Sequence, residues 1–594
     1  MPTTPDPTAT ALAAAKSLLQ AQIVANCVKG DSQNCFAECQ VAADCPSGMT
    51  CDSSCGMCGC GTTCPGCGDG STHIGSWHIA NIARALVKLS VVGGAAVSTA
   101  DRAALMCAAE VVSTKWAAFS NVSDTPFTTR AEWIANGTYV NLFFDDMGWW
   151  ALALFDLYDA LASGAAGITC SNPMTKDVAL VGALKITAII GSAYSSLCGG
   201  SVEWSCPGSW TIQSAQKNTV TNMLTIIALL RALPFLDNPP VGAPAATAAD
   251  YIAQVQSMWL WYSTHQIANP TLTYGDNQSA SYSGSVGLFN VQPDGRVVLC
   301  DAMSTSSDAY SACTPCTARM QTTGGECDNI PCNTLNVNQW TYNYGVVIAA
   351  LMQLDRVSSK LDTSQMGPHT DFLKLAVGVA ETSVASTCLA VPIYLPSSGL
   401  DATQLAFFAG GVVQENCSVW AGKLCNADQF IFRGIYLDWL AELVGYCRTK
   451  GWYGPQTDAY AALVASTATA LSANSTLVSA GQAVVYPFQW NDSQFDWCQP
   501  CDGCTPPVTA ATCAAFYQAN GHNRFEISNQ AAALKALTAV LQLGAASPCP
   551  PCPGPSGGGG QASDRTALIA VGSIAGALGV VAIVLLVVYY SRHR

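Results

Sequence analysis

The sequence predicts an all-α fold, an (α/α)6 toroid of about twelve helices, with a small disulfide-rich segment before it and a transmembrane helix after it. Three observations carry this expectation. Apolar residues recur at helical spacing in twelve stretches parted by Gly-, Pro- and Ser-rich loops, near 77–91, 101–119, 147–162, 174–194, 214–233, 248–265, 342–357, 370–387, 403–413, 428–447, 457–472 and 525–542. No convincing run of alternating polar and apolar residues competes with them. Two segments, 224–230 and 346–354, are apolar on nearly every face, as helices enclosed by other helices must be.

The segments follow in order. Residues 1–26 have no basic first region, and Lys16 interrupts the apolar stretch 11–25. That is a poor signal peptide; an incomplete leader or an internal start accounts for it. Residues 27–70 carry ten cysteines: Cys27, Cys35, Cys39, Cys45, Cys51, Cys55, Cys58, Cys60, Cys64 and Cys67. Gly, Ser and Thr fill the gaps, so no core forms and disulfides must staple the segment. The spacings Cys55-x-x-Cys58 and Cys64-x-x-Cys67 also suit zinc, but outside the cell disulfides are favoured. A carbohydrate-binding knot and a plain spacer fit equally.

Residues 71–545 hold the helices. Their longest loop, 266–340, contains Cys300, Cys313, Cys316, Cys327 and Cys332. Loops of such length are functional or disordered, and the cysteines favour an ordered rim over a cleft. Cys198 with Cys206, and Cys417 with Cys425, are each spaced to staple a short loop. Residues 546–565 form a stalk, stiff in its Pro part and flexible in its Gly part. Cys549 and Cys552 read either as an intrachain pair or as a hinge joining two chains in a disulfide-linked dimer. Residues 566–590 are uncharged, apolar and long enough to span a bilayer. The basic tail 591–594 places Arg592 and Arg594 in the cytoplasm and the bulk of the chain outside. A lipid-anchor signal is the rival, although such tails usually end apolar.

Composition agrees with a surface protein. Hydrophobic residues make up 50% and charged ones 11%, enough apolar material for a large core. The net charge of −14 argues against nucleic acid or anionic lipid as a partner. The 29 cysteines exclude a reducing compartment, and sequons stand at Asn121, Asn136, Asn277, Asn416, Asn474 and Asn491. The expected location is the cell surface or a secretory-pathway membrane, type I. Nothing in the sequence implies a metal or cofactor: the six histidines are scattered, with no His-Glu-x-x-His, nucleophile elbow or phosphate loop.

The candidate chemistry lies in Phe143-Phe144-Asp145-Asp146-Met147-Gly148-Trp149-Trp150. Two carboxyl groups are the minimum for cleaving a glycosidic bond, one protonated and one ionised. A dry aromatic setting pushes their pKa values apart and so assigns the roles. Tryptophan offers a platform for a sugar's apolar face. The plainer reading is a helix cap, because Asp satisfies free N–H groups at a helix start. Adjacent residues diverge within a helix, so the pair can share a substrate only at a loop-to-helix junction.

Four segments in fixed order resemble glycoside hydrolase family 76, the α-1,6-mannanases. They are the Asp145-Asp146 pair; Cys198-Gly199-Gly200-Ser201-Val202-Glu203-Trp204 with Lys217-Asn218; Asn338-Gln339-Trp340-Thr341-Tyr342-Asn343-Tyr344-Gly345-Val346; and Gly411-Val412-Val413-Gln414-Glu415-Asn416-Cys417 with Cys425-Asn426-Ala427-Asp428-Gln429-Phe430-Ile431-Phe432-Arg433-Gly434. The resemblance spans about 71–545, with Arg433 where the family commonly has Lys and Tyr344 where it has Gln. It implies the same toroid and a retaining hydrolysis of α-1,6-mannosidic bonds, with Asp145 as nucleophile and Asp146 as acid/base. It implies α-mannan or a mannosylated glycan as substrate. Trp204, Tyr342 and Asn343 lie in family motifs and either contact sugar or pack. Of Trp149 and Trp150, at least one belongs to the core and the other is free to line a cleft. Asp428 and Arg433 read as a structural ion pair or cap. A cell-wall transglycosidase with the same site, and a carbohydrate-binding protein that has lost catalysis, are the alternatives.

Overall fold

The computed structural model describes residues 7–20, 50–52, 57–59, 76–93, 97–119, 143–164, 170, 174–205, 216–274, 278–305, 330–384, 408–409, 412–413, 415, 427–452, 454–474, 476–479, 483–485 and 524–545. The chain divides into two units, Met1–Ala546 and Ser547–Arg594. All described residues lie in the first. The stalk, the apolar run 566–590, the basic tail, and Cys549 and Cys552 lie outside them, as does most of the cysteine-rich segment. Among the described residues no helix is long and apolar enough to cross a membrane.

Twelve α-helices are described. In chain order they are α1 (Pro7–Gln20), α2 (Ser76–Val92), α3 (Thr99–Phe119), α4 (Phe144–Ala162), α5 (Lys176–Gly191), α6 (Thr219–Ala232), α7 (Ala248–Thr264), α8 (Thr341–Arg356), α9 (Phe372–Val384), α10 (Ala427–Thr449), α11 (Pro455–Asn474) and α12 (Arg524–Ala545). The even-numbered helices pack in a closed ring: α2 on α4, α4 on α6, α6 on α8, α8 on α10, α10 on α12, and α12 back on α2. The odd-numbered helices lie outside, α3 on α2, α5 on α4 and α6, α7 on α6, α9 on α8, and α11 on α10 and α12.

The sixth outer place is taken by α1, packed on α12 and α11. Its residues Ala11, Ala14 and Ala15 are fully buried, so residues 7–20 are part of the toroid's wall, a role their sequence did not announce. The count of twelve agrees with expectation, but the membership differs. Residues 403–413 were expected to be helical. Instead Phe408–Ala409 (β12) pairs antiparallel with Val412–Val413 (β13). The sequence between them is Gly410-Gly411, which favours a two-residue reversal and breaks a helix.

The inner helices are buried on nearly every face; in α6 every residue but Arg231 is buried. Close approach is bought with small side chains. A Cβ on Gly434 of α10 would sit 2.5 Å from the Ala532 Cα of α12, and one on Gly345 of α8 would sit 2.9 Å from the Tyr436 Cα. Helix starts are capped from the sequence: Thr175 Oγ1 accepts from the Val178 N–H, Thr247 from the Asp250 N–H, and the Asn218 side chain from the Thr221 N–H.

Short strands were not expected, yet the segment 216–336 contains many. Gln216–Asn218 (β3), Thr271–Tyr274 (β5), Gln278–Ser281 (β6), Ala302–Ser304 (β10) and Thr334–Asn336 (β11) form one sheet in the order β3-β10-β11-β5-β6. Only the β11–β5 pairing is parallel. Strands of three or four residues are too short for alternation to register in sequence. Disulfides further tie the fold. Cys198 bonds Cys332, at 4.9 Å between Cα atoms, and not Cys206. Cys107 bonds Cys170. Pairing follows proximity in space, which spacing along the chain does not reveal. Cys417 and Cys425 lie outside the described residues.

Candidate active site

Five of the six inner helices present their N-terminal ends to one cleft of about 420 Å³. Its lining comes from Trp77 of α2, Asp145, Asp146 and Trp149 of α4, Asn218 before α6, Tyr342 of α8, and Asp428 and Phe432 of α10, together with Phe143, Trp204, Gln216 and Asp301 from the connections. The aromatic walls pack on one another. Tyr342 stacks on Phe432 with ring centres 3.8 Å apart, Trp77 stacks on Trp149 at 6.3 Å, and Phe143 tilts against Trp204 at 4.9 Å.

Asp145 and Asp146 sit in the first turn of α4, whose N-cap is Phe143 with no side-chain cap bond. Neither Asp is the N-cap residue, and Asp145 accepts the N–H of its neighbour Asp146. Both reach the cleft because α4 meets it end-on, so that its first turn opens into it. The helix dipole there favours negative charge.

Asp145 is held in place on both oxygens. The Trp204 indole N–H donates to its Oδ2 at 2.9 Å, and the Asp146 backbone N–H to its Oδ1 at 3.0 Å. Burial pushes the Asp145 carboxyl up to about 6, against the lowering effect of the bonds from Trp204, Asp146 and Asn218.

The residues that orient Trp204 lie in the Cys-Gly-Gly and Lys-Asn segments. The backbone from Cys198 to Ser201 is left-handed throughout, with φ of 55° at Cys198 and 76° at Ser201. The buried Lys217 ammonium fastens this loop by donating to the Ser195 and Ser201 carbonyls and the Ser195 hydroxyl. Trp204 is then stitched on both sides, its N–H to the Gln216 carbonyl at 2.8 Å and its carbonyl to the Phe144 N–H at 2.9 Å. Glu415 plays a similar part for Tyr342, because its carboxylate accepts from the backbone N–H and hydroxyl of Thr341 at the start of α8.

The sequence-predicted residues divide accordingly. Asp145, Asp146, Trp149, Trp204 and Tyr342 line the cleft. Trp150 does not; it is fully buried in the core, one position round α4 from Trp149. Asn343 does not line the cleft; it is buried behind the wall and donates to Asp301 Oδ1 at 2.9 Å. Asp428 lines the cleft and faces the His78 ring at 3.3 Å, while Arg433 turns to Asn529. Sequence reasoning missed Trp77, Phe143, Gln216, Asn218, Asp301 and Phe432 as lining residues. Phe143, Asn218 and Phe432 had a signal, because each stands in one of the quoted motif segments.

No protein-family model matches this chain, and no curated protein matches it significantly. Among solved structures it is similar to the GH76A α-1,6-mannanase of Salegentibacter sp. HEL1_6, at 13% identity and a TM-score of 0.48, covering 91% of this chain and 100% of that one. It is also similar to an inactive variant of that mannanase in complex with α-1,6-mannotriose, at 14% identity and a TM-score of 0.43, covering 79% of this chain and 90% of that one. A third is Dfg5 from Chaetomium thermophilum in complex with glucosamine, at 12% identity and a TM-score of 0.41, covering 79% of each chain. The mannanases among these neighbours bear the family name that the sequence motifs resemble, and at such distance the site's own geometry has to carry the chemistry.

Proposed function

We propose that this chain is a retaining glycoside hydrolase that cleaves α-1,6-mannosidic bonds in mannan or mannoprotein glycans. One observation carries the reading. Two adjacent carboxyl groups open into an aromatic-walled cleft, and the first is oriented by two donors and raised in pKa by burial. The aromatic faces of Trp77, Trp204 and Tyr342 suit sugar rings. The described lining has four carboxylates and no basic side chain, which disfavours an anionic substrate and favours the positive charge of an oxocarbenium-like transition state. The identity of the sugar rests on the motif resemblance.

The order of roles comes from the motif resemblance and not from the raised pKa of Asp145, which by itself marks a proton donor: an Asp145 oxygen bonds the anomeric carbon as the glycosidic bond breaks. Asp146 gives its proton to the leaving oxygen. Water then attacks the same carbon, returns a proton to Asp146 and frees Asp145. A sugar hydroxyl in place of water makes the same site a transglycosidase. A membrane tether through residues 566–590 places the enzyme outside the cell and serves either outcome. The deciding experiment is product analysis with α-1,6-mannotetraose, read by NMR for the anomer first released. Retention of the α configuration is expected. Binding with no turnover would leave only the carbohydrate-binding role.

The pH profile follows from the pair. Asp145 must be ionised to attack, so the rate should fall as pH drops through about 6 and the carboxylate takes up a proton. At higher pH the donor carboxyl loses its proton and the rate should fall again. The two limbs belong to the coupled pair. A rate that stays flat from pH 4 to 8, with chemistry limiting, would rule out the dyad.

A further inference from the structure

A third carboxylate, Asp301, lines the cleft and has no part in the chemistry above. It sits between Val297–Leu299 (β9) and β10, and its main chain is clamped. Its N–H donates to the Asn336 carbonyl, and its carbonyl accepts from the Thr219 N–H that opens α6. Its carboxylate is clamped as well. The Asn343 amide donates to Oδ1 at 2.9 Å, the Asn336 amide donates to Oδ2 at 3.0 Å, and the Trp340 side chain supplies a third bond. Burial raises the Asp301 carboxyl to about 6 against these bonds, so above that pH it is ionised, with about four acceptor sites. Three are filled from the protein, which leaves one on a residue that faces the cleft.

From this geometry we infer that Asp301 is a specificity-determining residue, a fixed acceptor for one hydroxyl of the sugar bound beside Asp145. The inference rests on the glycosidase reading above. A group held by three donors cannot swing to follow a reacting atom, and three bonds from uncharged donors do not deliver a proton. Those features suit recognition and exclude the general acid. The acceptor also selects. A hydroxyl can donate to it, whereas a deoxy carbon or an ether oxygen at that position leaves a buried carboxylate site unpaired, and sites built to bond a hydroxyl discriminate strongly against its loss. The Trp340-Asn343 motif then has a purpose in this chain: it carries Tyr342 to the cleft wall and two donors to Asp301.

The test deletes the bond from each side. Kinetics of wild type and Asp301→Ala are measured on an α-1,6-mannobioside and on its 2-, 3- and 4-deoxy analogues. One analogue should lose about 10²-fold in kcat/KM with wild type, and that loss should vanish in Asp301→Ala. The parent substrate should show a raised KM in the variant, with kcat at saturating substrate largely kept. Similar losses for every analogue in both proteins would overturn the inference, as would a collapse of kcat in Asp301→Ala with KM unchanged. Calorimetric binding of the same series to Asp145→Asn tests the bond without turnover and without altering Asp301. A wild type that turns over mannobioside but shows no position-specific loss sinks the Asp301 assignment alone. A wild type that binds the series selectively and never cleaves it sinks the hydrolase reading and leaves Asp301 standing.

Discussion

Asp145→Asn should reduce turnover of an α-1,6-mannooligosaccharide by about 10⁴-fold or more and leave the fold intact, and Asp146→Asn should do the same. The magnitude is that of removing a nucleophile or a general acid from a site that retains its binding groups. The stability half of the expectation comes from the electrostatics of Asp145. Burial raises its folded pKa from the ordinary 3.8 to about 6. Between those values the folded protein holds a proton that the unfolded chain has released. The favourable contribution is present below the ordinary value and is lost as pH rises through about 6. At neutral pH the ionised Asp145 thus opposes folding, and a neutral Asn of the same shape removes that opposition. Its amide oxygen still accepts from the Trp204 indole. Melting temperature at pH 7 should therefore hold or rise slightly in Asp145→Asn, with circular dichroism unchanged. A melting temperature lowered by several degrees, with activity kept, would return the pair to a structural role.

The sequence made the toroid legible because eleven of its helices, α2 to α12, carry apolar stretches whose spacing survives without tertiary context. The helix α1 was hidden by its composition. An Ala-rich segment with Lys16 on one side resembles a failed leader, and only its burial of Ala11, Ala14 and Ala15 against the last inner helix gives it a place. The site was legible where chemistry is written in adjacent residues, as at Asp145-Asp146, or in a fixed motif, as at Trp204 and Tyr342. It was illegible where the fold alone brings residues together. Trp77 and Phe432 reach the cleft from α2 and α10, more than 350 positions apart; Phe432 stands in a motif that gave it no stated role, and nothing local marks Trp77. Asp301 reaches it from the residue just before a three-residue strand inside what read as a long loop. Trp149 and Trp150 illustrate the limit best. Adjacent and chemically identical, both are buried, but the helical step of about 100° between them brings Trp149 to the cleft wall and leaves Trp150 wholly inside the core.

The largest loss of stability should come from the middle of the ring. Below the cleft the toroid is filled by charge. Asp438 of α10 accepts from Lys88 of α2 at 2.7 Å and from Lys535 of α12 at 3.3 Å, and all three are nearly or fully buried. Lys88 also pairs with Glu442. Arg84 of α2 donates to Asp156 of α4 at 2.8 Å with its guanidinium 4.7 Å above the Trp439 ring, and Arg231 of α6 bridges Asp156 and Asp159. Asp438 is thus the joint that fixes the last inner helix to the first, where the ring must close. Burial works against its charge, yet Lys88, Lys535 and Arg84 hold its pKa below the ordinary value. Removing it leaves those cations facing one another in a dry interior. Asp438→Ala should cost about 3–5 kcal/mol, the usual loss when one partner of a buried ion pair is removed. Lys535 tells the opposite story. Burial lowers its ammonium to about 7, so at neutral pH its charge is held at a cost, while Lys88 remains to neutralise Asp438. Lys535→Met, which keeps the length and drops the charge, should therefore change stability by no more than about 1 kcal/mol. Chemical denaturation of the two variants beside wild type measures both. Equal large losses would mean that the cluster acts through every member alike, and equal small ones would mean that apolar packing alone closes the ring.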